Sequence, residues 1–100
     1  SYTSTQALGK YGRMRRAFLE QNRPMFFNDM ILTESLFPHL WEVQQTCAMR
    51  IELLMTDLLA KNPAPDKATQ QLEWVAHMNS LKAQAEETIL CELVYGEDVV

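Results

Sequence analysis

PHLWEVQQTCAMRIELLMTDLLAKN, from Pro38 to Asn62, is the stretch that decides how this chain folds. After its first residue it holds neither proline nor glycine. Leu40, Val43, Cys47, Ile51, Leu54 and Leu58 recur at steps of three and four, the spacing of one apolar face on a 3.6-residue helix. Such a helix runs ~36 Å, enough to cross a small domain. It persists only when that face is covered, because burial rather than propensity holds amphipathic helices in water.

The segments on either side predict the cover. Residues 1–9 are small and polar without a period and are expected to form a frayed or disordered start, leaving 10–100 as a single helical domain. A first helix fits about 10–21, with Tyr11, Met14 and Phe18 on one face. Arg15 falls inside that apolar arc, either snorkelling at the domain edge or paired and partly buried. Asn22 before Arg23-Pro24 suits an N-cap, and a second short helix comes next over about 24–33. Met25, Phe26, Phe27, Met30, Ile31 and Leu32 surround that helix on nearly every side, so it is expected to be buried between others.

Ser35 is a candidate N-cap for the long helix, with Pro38 in its first turn. Asn62-Pro63-Ala64-Pro65-Asp66 interrupts the pattern, and Asp66 is placed to cap the next helix. That last helix is expected over about 67–95. Trp74, Val75, Met78, Leu81, Ala85, Ile89 and Leu93 form its stripe, and Gly96 is a stop that tolerates a left-handed cap. The short break makes 38–61 and 67–95 a long antiparallel helical hairpin, covered by 10–21 and 24–33. The predicted fold class is all-α.

Composition narrows the function classes. No apolar run reaches the ~18 residues of a membrane span, and no signal-peptide pattern opens the chain. Ser1 is not an initiator residue, so further residues are expected before it. Cys47 and Cys91 are too few for a disulfide framework, which suits a reducing cytoplasm. His39, Cys47, His77 and Cys91 are singletons without the paired spacing of structural zinc, so no metal and no cofactor are expected. No glycine-rich phosphate loop or nucleophile turn appears, and Glu86-Glu87 point about 100° apart, so the chain reads as no enzyme.

Charge is the remaining signal. The net charge of −4 divides into +4 over residues 1–23 and −8 over residues 24–100. Lys10, Arg13, Arg16 and Arg23 are candidates for contact with a phosphate backbone, with Tyr11 as a stacking surface. The alternative is two halves of one domain attracting each other, with the arginines docked on acidic helices. Arg15 requires a partner if buried, and Glu92, on the arc of Trp74, Leu81 and Ala85, is its leading candidate. Met49 and Leu53 lie on the outer side of the long helix. They are candidates for a homodimer face, unless the second helix covers them within one chain.

Several short stretches together resemble a known family. Tyr11-Gly12-Arg13, Phe18-Leu19, Arg23, Leu36-Phe37-Pro38-His39-Leu40, Trp74-Val75 with Met78-Asn79, and Glu92-Leu93-Val94-Tyr95 are similar to the transposon-encoded TnpV family. The likeness covers about residues 11–95. It implies residues before the Tyr-Gly motif and a role as an accessory of a bacterial mobile element, with DNA or the element's own proteins as partners. It implies no catalytic residues. A homodimeric helical interaction module with no nucleic-acid binding is the rival from another class.

Overall fold

The computed structural model describes residues 8–96. The expected frayed start falls largely on residues 1–7, which lie outside the described residues; Leu8 packs with the cluster around Leu19 and Leu40. Four helices run in order: α1 (Lys10–Asn22), α2 (Pro24–Leu32), α3 (Leu36–Lys61) and α4 (Gln71–Ile89), continued by a π-helical turn over Leu90–Val94. No strand occurs among the described residues. The fold is all-α, as the periodicity predicts.

The long stretch forms α3, and its stripe does what its spacing requires: Leu40, Val43, Cys47 and Ile51 are buried. Asn62 meets His77 near the break and Arg50 meets Glu92 further back, the register of an antiparallel hairpin. α1 lies across the base of that hairpin. Tyr11 joins Val43, Cys47, Ile51, Ala85, Ile89 and Val94 in one core cluster, while Leu19 joins Phe27, Met30 and Leu40 in another.

Two features let α1 approach α3 closely. A Cβ on Gly12 would sit 3.1 Å from the Leu40 carbonyl oxygen, so glycine is what the contact distance admits. Gly9 offers no side-chain cap to α1, and Gln44 of α3 supplies one, its Oε1 accepting from the Gly12 N–H at 2.9 Å. A helix start leaves such N–H groups without intrahelical partners.

The break between the long helices is wider than the two prolines suggest. Asp66 caps a turn rather than α4: its carboxylate accepts from the Ala68 N–H and the Thr69 hydroxyl, and its carbonyl from the Gln70 N–H. α4 therefore starts at Gln71 rather than near 67. Asn22 is also not a cap for α2; it ends α1, and its side chain donates to the Phe18 carbonyl. Ser35 makes no cap bond either, its hydroxyl lying 2.9 Å from that of Thr33.

Helix α2 departs furthest from expectation. Only Phe27 and Met30 are buried, whereas Met25 and Leu32 remain 82% and 80% exposed. The helix rests with one side on α1 and α3, and no described element covers the other side. It ends in a Schellman motif. The Ser35 N–H bonds the Met30 carbonyl, the Glu34 N–H bonds that of Ile31, and Glu34 takes a left-handed φ of 57°.

At the other end, the π turn changes which residue is buried. From Leu81, Ala85 and Ile89 the seam steps five residues to Val94, not four to Leu93. Val94 is fully buried and Leu93 only partly. The wider π turn rotates the chain by less per residue, so the fifth position returns to the face. No described glycine has a positive φ, so Gly96 ends the helix without the left-handed cap.

Candidate functional site

α1 is amphipathic in an unusual way, since both of its faces carry cations. On the inner face, Arg15 is 1% exposed. Its Nη1 donates to the Val94 carbonyl at 2.9 Å and to the Gly96 carbonyl at 2.6 Å, and its Nε to His39 Nε2 at 3.2 Å. The π turn is what brings those two carbonyls to it. A helix C-terminus presents carbonyls without intrahelical partners and carries partial negative charge, so a guanidinium satisfies it in both respects. Phe18 lies under the same guanidinium and stacks at a tilt against Tyr95.

The expected Arg15–Glu92 pair does not form. Glu92 faces outward and accepts from Arg50 at 2.7 Å, because the π turn takes it off the core-facing arc of α4. Arg15 is instead held by backbone carbonyls and a neutral imidazole. Burial, and then the Arg15 charge, push the His39 pKa below its ordinary 6.5, with Glu42 acting weakly the other way. The bond from Arg15 Nε requires His39 to accept at Nε2, which places its proton on Nδ1.

His39 also lines an open cleft of about 300 Å³ with Phe26, Met30, Ser35, Pro38 and Glu42. Ser35, His39 and Glu42 side by side could suggest acyl-transfer chemistry. However, the Ser35 hydroxyl is bonded to Thr33 and His39 Nε2 is engaged by Arg15, so no hydroxyl–imidazole pair forms. Cys47 is buried in the core with its thiol pushed up to about 11 by burial, the state of an inert cysteine. His77 is bonded to the Asn62 carbonyl and Cys91 is exposed. The described residues bring together no group of three His, Cys, Asp or Glu suited to a metal.

The outer face carries the candidate nucleic-acid residues, and the structure separates them. Lys10 pairs with Glu86 of α4 at 3.0 Å, and the Tyr11 hydroxyl donates to the same carboxylate at 2.6 Å. The hydrogen bond from Tyr11, then that from Lys10, holds the Glu86 pKa below its ordinary value. Burial, and then Glu86, push that of Tyr11 well up. Tyr11 is thus part of the core rather than a stacking surface. Arg13 is exposed and donates to the Leu8 carbonyl at 2.6 Å. Arg16 lies over the Phe27 ring and Arg23 over Phe26, at 5.7 and 5.3 Å from the centroids. Met49 and Leu53, the candidate dimer residues, are 57% and 64% exposed, so α2 does not cover them.

The family model described as "Transposon-encoded protein TnpV" matches residues 1–94 of the 100-residue chain. The chain belongs to the TnpV family. No curated protein and no solved structure matches it. Membership makes this a transposon-associated protein, and it brings the Tyr11-Gly12-Arg13 stretch into a TnpV context. Tyr11 and Gly12 of that stretch build the α1–α3 contact, while Arg13 faces out. No described helix of this TnpV chain is long and apolar enough to cross a membrane.

Proposed function

We propose that this TnpV-family chain is a non-enzymatic accessory protein of its mobile element, acting in the cytoplasm through nucleic acid held on the Arg13–Arg16–Arg23 edge. The observation that carries this reading is how that edge is arranged. Among the described residues no carboxylate pairs with Arg13 or Arg16, and Arg16 and Arg23 lie over phenyl rings. Over its ring the Arg16 guanidinium keeps its charge and its donors for phosphate and loses little rotamer freedom on binding. Lys10 does not belong to the edge, because Glu86 neutralises it. The test is a salt titration of binding to duplex and single-stranded DNA, comparing wild type with Arg13→Ala plus Arg16→Ala. Loss of binding in the double variant supports the reading.

A second reading has its own support. Lys10 docked on Glu86 is the internal pairing of halves that a homodimeric interaction module without nucleic acid would show. Absence of DNA binding at low salt favours it, with the element's other proteins as partners.

A further inference from the structure

The bond between Arg15 and His39 fixes what the imidazole can offer to a ligand. Arg15 Nε donates to His39 Nε2 at 3.2 Å, so the ring proton stays on Nδ1, and no described group accepts it. The guanidinium behind the ring is 1% exposed, and a buried cation at one ring nitrogen strengthens the N–H at the other as a donor. Glu42 stands three residues on along α3, the spacing at which helical side chains are neighbours. It is exposed, and among the described residues it enters no ion pair. The cleft that both residues line therefore offers one fixed N–H donor beside a carboxylate with two uncommitted oxygens.

Most of the remaining wall is apolar. Phe26, Met30 and Pro38 line it, and the Ser35 hydroxyl there is bonded to Thr33. The Arg23 guanidinium lies over the Phe26 ring at 5.3 Å, so the cleft borders the arginine edge. Its volume of about 300 Å³ is at the lower end for small-ligand sites and suits a single planar ring system.

We propose that this cleft binds one unpaired guanine base of a nucleic-acid strand whose phosphates lie along the arginine edge. The inference rests on the nucleic-acid reading above and adds to it the base that is recognised. On its pairing edge guanine presents two adjacent donors, N1–H and the exocyclic amino group, beside the O6 acceptor. Glu42 accepts from both donors, and His39 Nδ1–H donates to O6. Adenine has an amino group in place of O6 and a lone pair in place of N1–H, so both side chains meet the wrong partner. Cytosine and thymine each bring only one donor on that edge. A site built to hydrogen-bond one edge rejects bases that leave its polar groups unpaired, and the fixed tautomer of His39 sharpens that choice. Pairing in a duplex occupies the same edge, so the site takes single strands.

The test is fluorescence anisotropy of the full chain at low salt, with a short oligothymidine carrying one central dG, dA, dC or deoxyinosine. The dG strand is expected to bind about tenfold tighter than the dA strand, the discrimination of one bidentate pair. Deoxyinosine, which lacks the exocyclic amino group, is expected between them. Glu42→Gln should lose the dG preference and keep its helical circular dichroism, since the side chain is exposed in the fold. Arg13→Ala plus Arg16→Ala should weaken every strand alike and keep the preference, whereas annealing the complementary strand should remove it. Binding indifferent to the central base overturns the cleft and leaves the arginine edge standing, as does a preference that survives in Glu42→Gln. Absence of binding to every strand overturns the edge and the proposal together. Guanosine monophosphate competing as well as the dG strand makes the free nucleotide the ligand and overturns the strand as its source.

Discussion

Arg15 of the first helix is bonded through Nη1 to the carbonyl of Val94, 79 positions later, and so joins the two ends of the described chain inside the core. The contact closes α1 against the π turn and explains how a charged side chain survives there at 1% exposure. A buried guanidinium is tolerated when oxygens surround it, and the end of a helix supplies them.

Replacing Arg15 by methionine should therefore destabilise the fold by about 2–4 kcal/mol, since it leaves two carbonyls without their charged donor. Arg15→Lys should lose less, because an ammonium retains the charge but cannot bond both carbonyls and His39 together. Urea unfolding followed by circular dichroism measures both. Equal losses in the two variants would argue against the carbonyl contacts as the source.

The His39 pKa lies below its ordinary 6.5, so the unfolded chain takes up the proton more readily than the folded one. Stability from this group is present above about pH 6.5 and falls as the pH drops below it. Glu86 adds a second, lower window. Its folded pKa is below the ordinary 4.5, so its contribution is full above that value and is lost as pH falls through the folded pKa. His39→Gln, which can still accept from Arg15, should flatten the upper window and leave the lower one. Thermal midpoints from about pH 8 down to about pH 2 resolve the two.

Glu34 holds the left-handed position that closes the α2 Schellman motif, at a φ of 57°. Glycine adopts that conformation without steric cost, so Glu34→Gly should raise stability by about 0.5–1 kcal/mol. Denaturant midpoints check it, and a lower midpoint would contradict the account of the turn.

For nucleic acid, three arginines rather than four cations set the expected salt dependence. Three phosphate contacts give a slope near −2.7 in log affinity against log salt, taking ~0.9 per contact. Removing Arg13 and Arg16 should leave a slope near −0.9, whereas Lys10→Ala should change affinity little. Fluorescence anisotropy at several salt concentrations reads all three.

The helices were legible because repeat spacing is local: Leu40 to Leu58 declares its face without knowledge of what lies opposite. The position of Arg15 in the apolar arc of α1 was legible in the same way. Its carbonyl partners at Val94 and Gly96 were not, because backbone carbonyls leave no residue type to recognise. Gln44 as the cap of α1 was hidden for a related reason, the two lying 32 positions apart. The exposed side of α2 misled because six apolar residues on nine predict burial whether or not a neighbour is present to provide it.

By itself the sequence determined the four helices, the hairpin and the placing of one arginine among apolar residues, since each depends only on periodicity and the reach of a few residues. Only the tertiary structure decided which charges are neutralised and which face outward. Lys10 meets Glu86, Arg50 takes Glu92 from Arg15, and Arg16 settles over Phe27. One π turn redirected the end of α4, exchanging Leu93 for Val94 in the core. Hydrogen bonding that shifts by a single residue carries no periodic signature, yet it rotates every side chain beyond it.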